Sequence, residues 1–545
     1  MTIRIEISGT FEAQSPLHIG GHAKGDIVDA PLVTDGLGRY LIPGTSLAGL
    51  LRSKVDSEGG AWGSAGDTDQ DAWPSKVTVF DAYETEKQHQ LSEKPSGTAS
   101  KHVASFVQDH VSIDSKYGVA KKTSLYSMEY LPSGTTFRVR IVLSGEDHEK
   151  TELKALAYSL VGLMKEGVSV GAKTTNGNGL VKLVDEDIRI ADFSAASIIA
   201  ALTGGESLPI APDDIAREAN LEQHGCQISF TLTPVEPLYS AIEISGSVFD
   251  SIPFVMPIAT NDGEKIRIAV PGSSIKGTLR HHAERIERTA KLNFADNSSD
   301  ACEVAMSLFG YIDAECQAEG QTSPAAKGAV TVGSLLSEAE ISRTKWDAIV
   351  DAENDTAAMR KIVEFNKEFN EAIRRDRVFL KLQSRNAIDR FSGAVVDGAL
   401  FTALEVTCNF QPLVIDIDVF ELAKRCDFNS EKVAAALTLL LLVLRDLEEG
   451  MIRFGTSTNR GFGSFRVGDG SGASQIEIRP LTGGAEQTSA ECEAGWSQIV
   501  EILSSICASG NLQTVLSNHK LSSELSVQWQ NTISHRAATA NVSEH

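Results

Sequence analysis

The sequence of 545 residues is long enough for several domains, and 42% apolar with 23% charged side chains is the balance of a folded globular protein. This composition excludes disordered and collagen-like chains. A net charge of −23 argues by itself against a polyanionic partner, although net charge averages over faces of opposite sign. The longest apolar run, residues 433–444, is shorter than the ~20 residues that span a bilayer, so we expect a buried helix and no membrane segment.

The chain begins with an alternating strand from Ile3 and lacks the features of a secretory signal, which predicts a cytoplasmic protein. The cysteines are odd in number and form no C-x-x-C pair. This spacing favours reduced, packing cysteines over a disulfide framework or a thiolate zinc site.

Three sequence blocks recur in the same order, which indicates two homologous copies. The first is an alternating strand that ends at a proline, the second is a Pro-Gly-[Ser/Thr]-Ser helix start, and the third is a Gly-rich turn between an apolar helix and a strand. The blocks occupy residues 7–21, 42–55 and 167–183 in the first copy, and residues 228–241, 270–286 and 450–467 in the second.

Strand, helix and strand segments alternate in each copy, which predicts an α+β fold of two tandem ferredoxin-like (RRM-like) domains. We place domain 1 at residues 1–195, a linker at 196–222 and domain 2 at 223–468. Residues 469–545 are predicted to be a C-terminal tail. It starts with the linker-like GDGSGAS, and residues 494–506 have the spacing of one accessory helix without chemistry.

The Pro-Gly-[Ser/Thr]-Ser motif predicts that the serine caps a helix whose first N–H groups favour an anion. Ser46 and Ser274 hold this position. An amphipathic helix with a solvated basic face is the alternative. Basic residues follow in both helices: Arg52 and Lys54 in the first, and Lys276, Arg280 and His281 in the second.

The Gly-rich turns share a Thr-Asn step and two glycines, Gly177 and Gly179 in the first copy and Gly461 and Gly463 in the second. Backbone N–H groups in such turns face anions, and Arg460 adds a positive charge to the second turn. Ordinary β-turns are the alternative. Neither turn has Walker or dinucleotide-binding spacing, so we do not expect nucleotide hydrolysis.

Each copy also contains a long polar insertion, at residues 57–110 and 293–370. Both exceed the length of ordinary loops, and we expect them to contact a partner. A basic cluster with Arg385 and Arg390 follows the second insertion. Charge clusters are usually solvated faces, but its position near a Gly-rich turn favours a phosphate-binding track.

These blocks together resemble the RAMP superfamily, in particular the backbone subunits of type III CRISPR effector complexes. In the first copy the resemblance lies in LHIGG, in IVDAPLVTDGLGRYLIPGTSLAGLLRS and in the Gly-rich turn. In the second it lies in VPGSSIKGTLR, LFG and RNAIDRFSG. It covers most of residues 1–468 and is similar to a tandem fusion of two such subunits.

The resemblance implies a ferredoxin-like palm in each domain, with an inserted thumb hairpin that wedges between nucleotides of a guide RNA paired to target RNA. RNA contacts are then expected at the helix starts, the Gly-rich turns and the basic residues named above. The implied partners are guide (CRISPR) RNA, complementary target RNA, other RAMP subunits, and the large signalling subunit and small subunit of the complex.

Some members of this family cut target RNA with an aspartate in a D-x-P context. Asp29 matches this context, and Asp250 is the natural equivalent, although one more residue precedes its proline. Either would position the 2′-OH of a splayed nucleotide or bind a divalent metal, for which we expect magnesium. His18 is a candidate helper. Loop-capping aspartates and a core histidine are the structural alternatives.

Four functions stay open from the sequence. The leading one is a guide-RNA-binding backbone subunit that is also a guide-directed endoribonuclease at one or both domains. The second is the same scaffold without cleavage. The third is a guide-processing RAMP ribonuclease with a histidine base, and the fourth is a protein-interaction module with an acidic surface.

Overall fold

The computed structural model describes most of the chain. The described residues are 2–21, 28–55, 60–63, 73–85, 105–113, 120–122, 124–192, 221–237, 241–243, 248–260, 263–291, 302–312, 325–371, 377–455, 458–468, 476–484 and 493–540. We call residues 2–192 unit 1 and residues 221–540 unit 2. The predicted linker at 196–222 lies outside the described residues, apart from its last two positions.

Helices and strands alternate through both units. The described helices are α1 (Gly44–Val55), α2 (Lys150–Glu166), α3 (Gly272–Ala290), α4 (Glu303–Phe309), α5 (Arg343–Val350), α6 (Asp355–Glu371), α7 (Val419–Arg425), α8 (Ser430–Glu448), α9 (Glu493–Ser509), α10 (Leu512–Ser517) and α11 (His519–Ala540).

The strands of unit 1 are β1 (Thr2–Ala13), β2 (Leu41–Ile42), β3 (Val77–Val79), β4 (Ala82–Glu84), β5 (Phe106–His110), β6 (Tyr126–Tyr130), β7 (Thr136–Glu146), β8 (Val168–Ser169) and β9 (Leu180–Asp192). Those of unit 2 are β10 (Leu221–Phe230), β11 (Leu232–Pro234), β12 (Ala241–Glu243), β13 (Ser251–Pro253), β14 (Val255–Thr260), β15 (Gly263–Val270), β16 (Gly310–Ile312), β17 (Ala325–Lys327), β18 (Val330–Val332), β19 (Leu335–Leu336), β20 (Ile341–Ser342), β21 (Val378–Ile388), β22 (Val395–Cys408), β23 (Leu413–Asp418), β24 (Phe465–Val467) and β25 (Glu477–Gly484).

Unit 1 forms its sheet around β1, which pairs antiparallel with β7 on one side and β9 on the other, while β3 pairs with β7. With α1 between β1 and β3 and α2 between β7 and β9, this is the ferredoxin-like arrangement. Ile3, Ile5 and Ile7 alternate along β1 and are fully buried. The alternation predicted for the first strand therefore forms one face of the core, against which α2 packs.

Unit 2 repeats this arrangement around β10, with the sheet order β25, β10, β23 and β18. Its long helix α8 has an Asn429 side-chain cap on Lys432 N–H and a nearly continuous buried surface. It packs against α3, α4, α9 and α11. The predicted α+β fold of two ferredoxin-like domains is confirmed, as is the buried helix at residues 433–444.

The end of unit 2 differs from the prediction. β24 pairs with β11 and β25 pairs with β10. Together they take the place of β9 in unit 1, whose pairing with β1 shifts register between Thr10 and Phe11. Residues 469–475, between β24 and β25, lie outside the described residues. The sheet of unit 2 thus extends to Gly484, beyond residue 468, where the sequence places the end of domain 2.

The predicted C-terminal tail is part of unit 2. The expected helix at residues 494–506 lies within α9, which packs on β10 and β25, and α11 packs along α8. The second insertion is also more ordered than its polar sequence indicates. Residues 293–370 contain α4, α5 and α6 as well as β18, an edge strand of the ferredoxin-like sheet.

Two antiparallel strand pairs extend from the sheets: hairpin 1 (β5 and β6) and hairpin 2 (β21 and β22). The units also contact each other directly. Ala259 N–H donates to Ser133 O at 2.8 Å, and Lys54 of α1 pairs with Asp418 of unit 2 at 3.4 Å. In the described part of the chain, no helix is both long and apolar enough to cross a membrane.

Candidate nucleic-acid interface

Asp29 lies on the loop after β1, beside strand β6 of hairpin 1. Its N–H donates to Ser127 Oγ at 3.1 Å, and its Oδ2 accepts from the Ser127 N–H at 2.8 Å and from Ser127 Oγ at 3.2 Å. The next residue, Ala30, forms a parallel bridge with Met128. The loop is therefore attached to the hairpin, and Asp29 is exposed.

Asp250 has the same relation to hairpin 2. Its Oδ2 accepts from the Thr402 N–H at 2.6 Å, and its own N–H donates to Thr402 O at 2.8 Å. The next residue, Ser251, forms a parallel bridge with Ala403. The additional residue before the proline left this equivalence in doubt, but the strand register puts Asp250 in the position of Asp29. Both are exposed.

An exposed leucine lies near each aspartate, two residues from the hydroxyl residue that binds it. Leu125 is 71% exposed and Leu400 is 62% exposed. Side chains two residues apart in extended chain share a face, so Leu125 projects with Ser127 and Leu400 with Thr402. Single exposed leucines are common. Their recurrence at equivalent positions beside both aspartates indicates a shared function.

The turn of hairpin 2 presents an aromatic ring to solvent. Phe391 is fully exposed, and the preceding Arg390 is also exposed. The turn is fixed by Asp389, which accepts hydrogen bonds from the N–H groups of Phe391 and Ser392. The backbone and side chain of Ser392, followed by the Phe391 N–H, lower the pKa of Asp389.

His18 lies in the core of unit 1. It is 2% exposed, with Nδ1 at 2.6 Å from Glu129 O. Its ring packs against Tyr130, whose hydroxyl lies 2.9 Å from His110 Nε2. Burial, followed by the charge of Lys173, lowers the pKa of His110 to about 4. The position of His18 gives its predicted catalytic role no support.

Asp29 and Asp250 are the residues that would bind a divalent metal. Among the described residues, no group of three or more His, Cys, Asp and Glu side chains is close enough for a metal ion. Each site supplies one exposed carboxylate beside a hydroxyl group. Such a donor set fits magnesium, which commonly keeps several waters and binds through one or two carboxylates plus substrate phosphates.

The helix starts differ from the predicted serine caps. In α1 the N–H of Gly44 donates to Asp81 Oδ1 at 2.7 Å. The first N–H of α3 donates to Ser334 Oγ at 3.0 Å. The predicted capping role of Ser46 and Ser274 is therefore wrong, because each cap comes from another segment, the one after β3 in unit 1 and the one after β18 in unit 2. Both serines are exposed.

The basic residues of α3 are largely paired within the protein. Arg280 Nε donates to Glu284 at 2.8 Å, and Lys291 donates to Glu287 at 2.7 Å. The two glutamates are 4% and 0% exposed. The excess of positive charge in this segment is thus mostly neutralised by buried acids, whereas His281 is exposed.

Both Gly-rich turns have the same conformation. Each contains one turn of 3₁₀ helix, Thr174–Asn176 or Thr458–Arg460, followed by two glycines with positive φ. A Cβ at the second glycine would lie 2.0 Å from Val170 O in unit 1 and 1.8 Å from Phe454 O in unit 2. At this glycine the backbone passes so close to the carbonyl group of Val170 or Phe454 that only glycine fits.

The surroundings of the first glycine differ between the two turns. At Gly177, a Cβ would lie 2.7 Å from Val332 O and Gly333 Cα of unit 2. At Gly461, a Cβ would meet nothing within 4 Å in the described structure. The turn of unit 1 is therefore docked on unit 2, and that of unit 2 is open.

Lys276 is buried at the docked turn. It is 8% exposed, and its Nζ donates to Thr175 O of unit 1 at 3.3 Å. Burial, followed by the positive charges of Arg280, Lys327 and Arg425, lowers the pKa of Lys276 to about 7. Its position assigns it a contact between the units, and RNA binding by this lysine stays a prediction.

The predicted RNA-binding residues thus fall into two groups. The exposed ones are Ser46, Arg52, Ser274, His281, Arg390, Arg460 and Gly461, of which Arg52 also donates a hydrogen bond to Gly63 O at 3.3 Å. The others have contacts within the protein: Lys54, Lys276, Arg280 and Arg385 through hydrogen bonds or ion pairs, and Gly177, Gly179 and Gly463 through close backbone approach.

The partners of the aspartates, Ser127 and Thr402, and the leucines beside them could not be predicted from the sequence. Ser127 and Thr402 each occur in a strand with alternating side chains. Only the register of the hairpins brings them next to an aspartate about 100 or more residues earlier in the chain. No local motif marks them.

Comparison with known proteins agrees with the two-unit architecture. The family model for the RAMP superfamily matches residues 10–182 and 252–466, one match in each unit. The chain is also similar to the CRISPR system Cms endoribonuclease Csm3 of Methanocaldococcus jannaschii. The two are 23% identical over 210 residues, which cover 33% of this chain and 79% of the relative.

Proposed function

The chain belongs to the RAMP superfamily, and on that premise we propose that it is a guide-RNA-binding backbone subunit of a type III CRISPR interference complex that cleaves complementary target RNA. The name of the relative, an endoribonuclease of a CRISPR system, supports both the complex and the activity. Besides RNA, the proposed partners are other RAMP subunits and the large and small subunits of the complex, in the cytoplasm.

The observation that carries the proposal is the equivalence of Asp29 and Asp250. Each is exposed, each accepts a hydrogen bond from the backbone N–H of a hydroxyl residue on a hairpin, and each is followed by a parallel bridge to that hairpin. An aspartate that only caps its own loop does not need a hydrogen bond and a parallel bridge to a hairpin. Here both contacts occur in the two copies, although their loops differ in length. The equivalence supports two cleavage sites of one design.

The proposed mechanism uses the hairpins to shape the RNA. A strand is cut by its own 2′-OH when the attacking oxygen, the phosphorus and the leaving oxygen are in line. Leu125 and Leu400 would take the place of a displaced base and splay the nucleotide beside them. The nearby carboxylate would then accept a hydrogen bond from the 2′-OH and orient it. We assign orientation to Asp29 and Asp250, since exposed carboxylates are weak bases at neutral pH.

Magnesium at these sites would add stabilisation of the negative charge that develops on the phosphate. Asp29 or Asp250 would bind it together with phosphate oxygens of the RNA. The chain's own contribution is to hold one carboxylate at a defined place on the hairpin, through the Ser127 and Thr402 N–H groups.

The two Gly-rich turns support other RAMP subunits as neighbours. The turn of unit 1 covers the start of α3, and α1 begins with the same Pro-Gly motif. The open turn at Gly461 would dock on such a helix start in a following subunit. Repeated head-to-tail contacts of this kind produce open helical assemblies.

Cleavage of an end-labelled complementary RNA by the guide-loaded complex tests the proposal. We would compare wild type, Asp29→Asn, Asp250→Asn and the double variant, each with magnesium and with EDTA. Asparagine keeps the acceptor for the hairpin N–H, so folding is retained. Asp347→Asn, an exposed aspartate on α5, is the matched control.

We expect each single variant to lose its own set of products by about 100-fold, because the 2′-OH is no longer oriented, with target affinity unchanged, and the double variant to lose both. The control should cut as wild type does. Intact RNA with wild type, despite tight target binding, would leave only the scaffold function and contradict the proposed activity.

A further inference from the structure

In each unit, one contact between a cation and an aromatic ring joins the Gly-rich turn to the hairpin. In unit 1 the Nζ of Lys173, on the turn, lies 5.2 Å from the ring centre of Tyr126. In unit 2 the cation is on the hairpin and the ring is on the turn. The guanidinium of Arg385 on β21 lies 4.6 Å from the ring centre of Phe462. Both distances lie within the range of cation–π attraction.

Lys173 takes this position at a conformational cost. Its φ of +59° is left-handed, a region that non-glycine residues rarely adopt unless the surrounding structure stabilises them. Tyr126 in turn stacks on His110, with ring centres 5.3 Å and planes 20° apart. The lysine therefore ends a stack of rings that follows one face of hairpin 1.

The contacts lie next to the hairpin residues that bind the aspartates. Tyr126 directly precedes Ser127, the partner of the first aspartate. Arg385 pairs across hairpin 2 with Phe401, which directly precedes Thr402, the partner of the second aspartate. An isolated two-stranded hairpin is only marginally stable, so its angle to the palm depends on contacts at its base.

We propose that Lys173 and Phe462 are positioning residues for the two aspartates. Each fixes its hairpin to the Gly-rich turn and thereby fixes the aspartate that is hydrogen-bonded to the hairpin. This inference rests on the proposed function, because it assigns the contacts a role in cleavage. The free energy of a cation–π contact corresponds to a change of about threefold to thirtyfold in the ratio of aligned to misaligned hairpin.

Single-turnover cleavage by the guide-loaded complex, at saturating protein, tests this role with two pairs of variants. Lys173→Met and Phe462→Leu keep apolar bulk but remove the charge or the ring. Lys173→Arg and Phe462→Tyr restore them. We expect Lys173→Met to slow only the product of the Asp29 site, by about threefold to thirtyfold, and Phe462→Leu to slow only that of the Asp250 site.

The restoring variants should cut within about twofold of wild type, and target affinity should not change in any variant. Equal slowing of both products by one variant would indicate general misfolding and would overturn the positioning role. Unchanged rates for both truncating variants would overturn it as well, as would failure of the arginine and tyrosine variants to restore cutting.

Amide hydrogen exchange on the same complexes separates this inference from the proposed function. Lys173→Met should speed exchange in hairpin 1 alone, and Phe462→Leu in hairpin 2 alone. If wild type cuts no RNA, the proposed function fails, while faster exchange still supports the turn-to-hairpin contacts. Unchanged exchange would contradict the contacts whether or not RNA is cut.

Discussion

The Gly-rich turn of unit 1 packs against unit 2, whereas the same turn of unit 2 is open at its first glycine in the described structure. Both have the same 3₁₀ turn and the same left-handed glycines. The comparison shows that the conformation of the motif belongs to each unit by itself. The contacts of the turn depend on which element lies beside it in space.

Alanine at the first glycine of each turn gives the largest expected difference. Gly177→Ala introduces a left-handed alanine and a Cβ at 2.7 Å from the backbone of unit 2. We expect it to lower the free energy of unfolding by about 4 kcal/mol. Gly461→Ala brings only the left-handed strain, about 1–2 kcal/mol. Denaturant unfolding of both variants measures the difference, and equal losses would show that the docked contact is not tight.

The stability of α3, the helix on which the turn of unit 1 docks, extends the comparison. This helix contains a buried acid in its last turn. Glu287 is fully buried and accepts from Lys291 and from the N–H groups of Val304 and Ala305. Glu287→Gln should lower the free energy of unfolding by about 3 kcal/mol, since it removes the buried carboxylate that forms an ion pair with the mostly buried Lys291.

The control for this change is the exposed pair Lys345–Glu368, whose side chains are about half exposed. Glu368→Gln should change stability by less than about 0.5 kcal/mol. Thermal unfolding of the two variants side by side checks the prediction. A similar small effect at both positions would mean that the buried glutamate contributes no more than a surface acid.

Per pH unit, the smallest expected effect is a pH dependence at the docked turn. Burial lowers the pKa of Lys276 to about 7, so above this pH the folded chain releases a proton that the unfolded chain keeps up to a pH near 10. Stability should therefore rise between pH 7 and 10, by at most ~1.4 kcal/mol per pH unit. Lys276→Met should show a flatter rise in denaturant unfolding at pH 7, 8 and 9. Parallel pH profiles would contradict the lowered pKa.

Much of the fold follows from the sequence because the repeated blocks coincide with core elements. Alternation along β1 and β10, the Pro-Gly helix starts and the Gly-rich turns all occur at equivalent places in the two sheets. The end of unit 2 does not follow, because the Gly- and Ser-rich residues 469–475 have the composition of a linker. Only the pairing of β25 with β10 shows that the sheet continues beyond them.

The candidate site follows from the sequence only in part. Asp29 and Asp250 are identified by their context, but their equivalence depends on strand register across 98 and 152 residues of chain. The basic residues of α3 suggest an anion site in the sequence, whereas the acids that pair with them, Glu284 and Glu287, are buried on the same helix. A count of charges in the sequence cannot distinguish basic residues that bind an anion from basic residues that pair with buried acids.

The docked turn has a consequence for stoichiometry. Because both units are on one polypeptide, they are made in equal numbers, and their contact forms at an effective concentration that does not fall on dilution. A contact between separate chains, such as one at Gly461, obeys mass action instead. Dilution should therefore separate neighbouring chains of an assembly from each other, while the two units of each chain stay in contact.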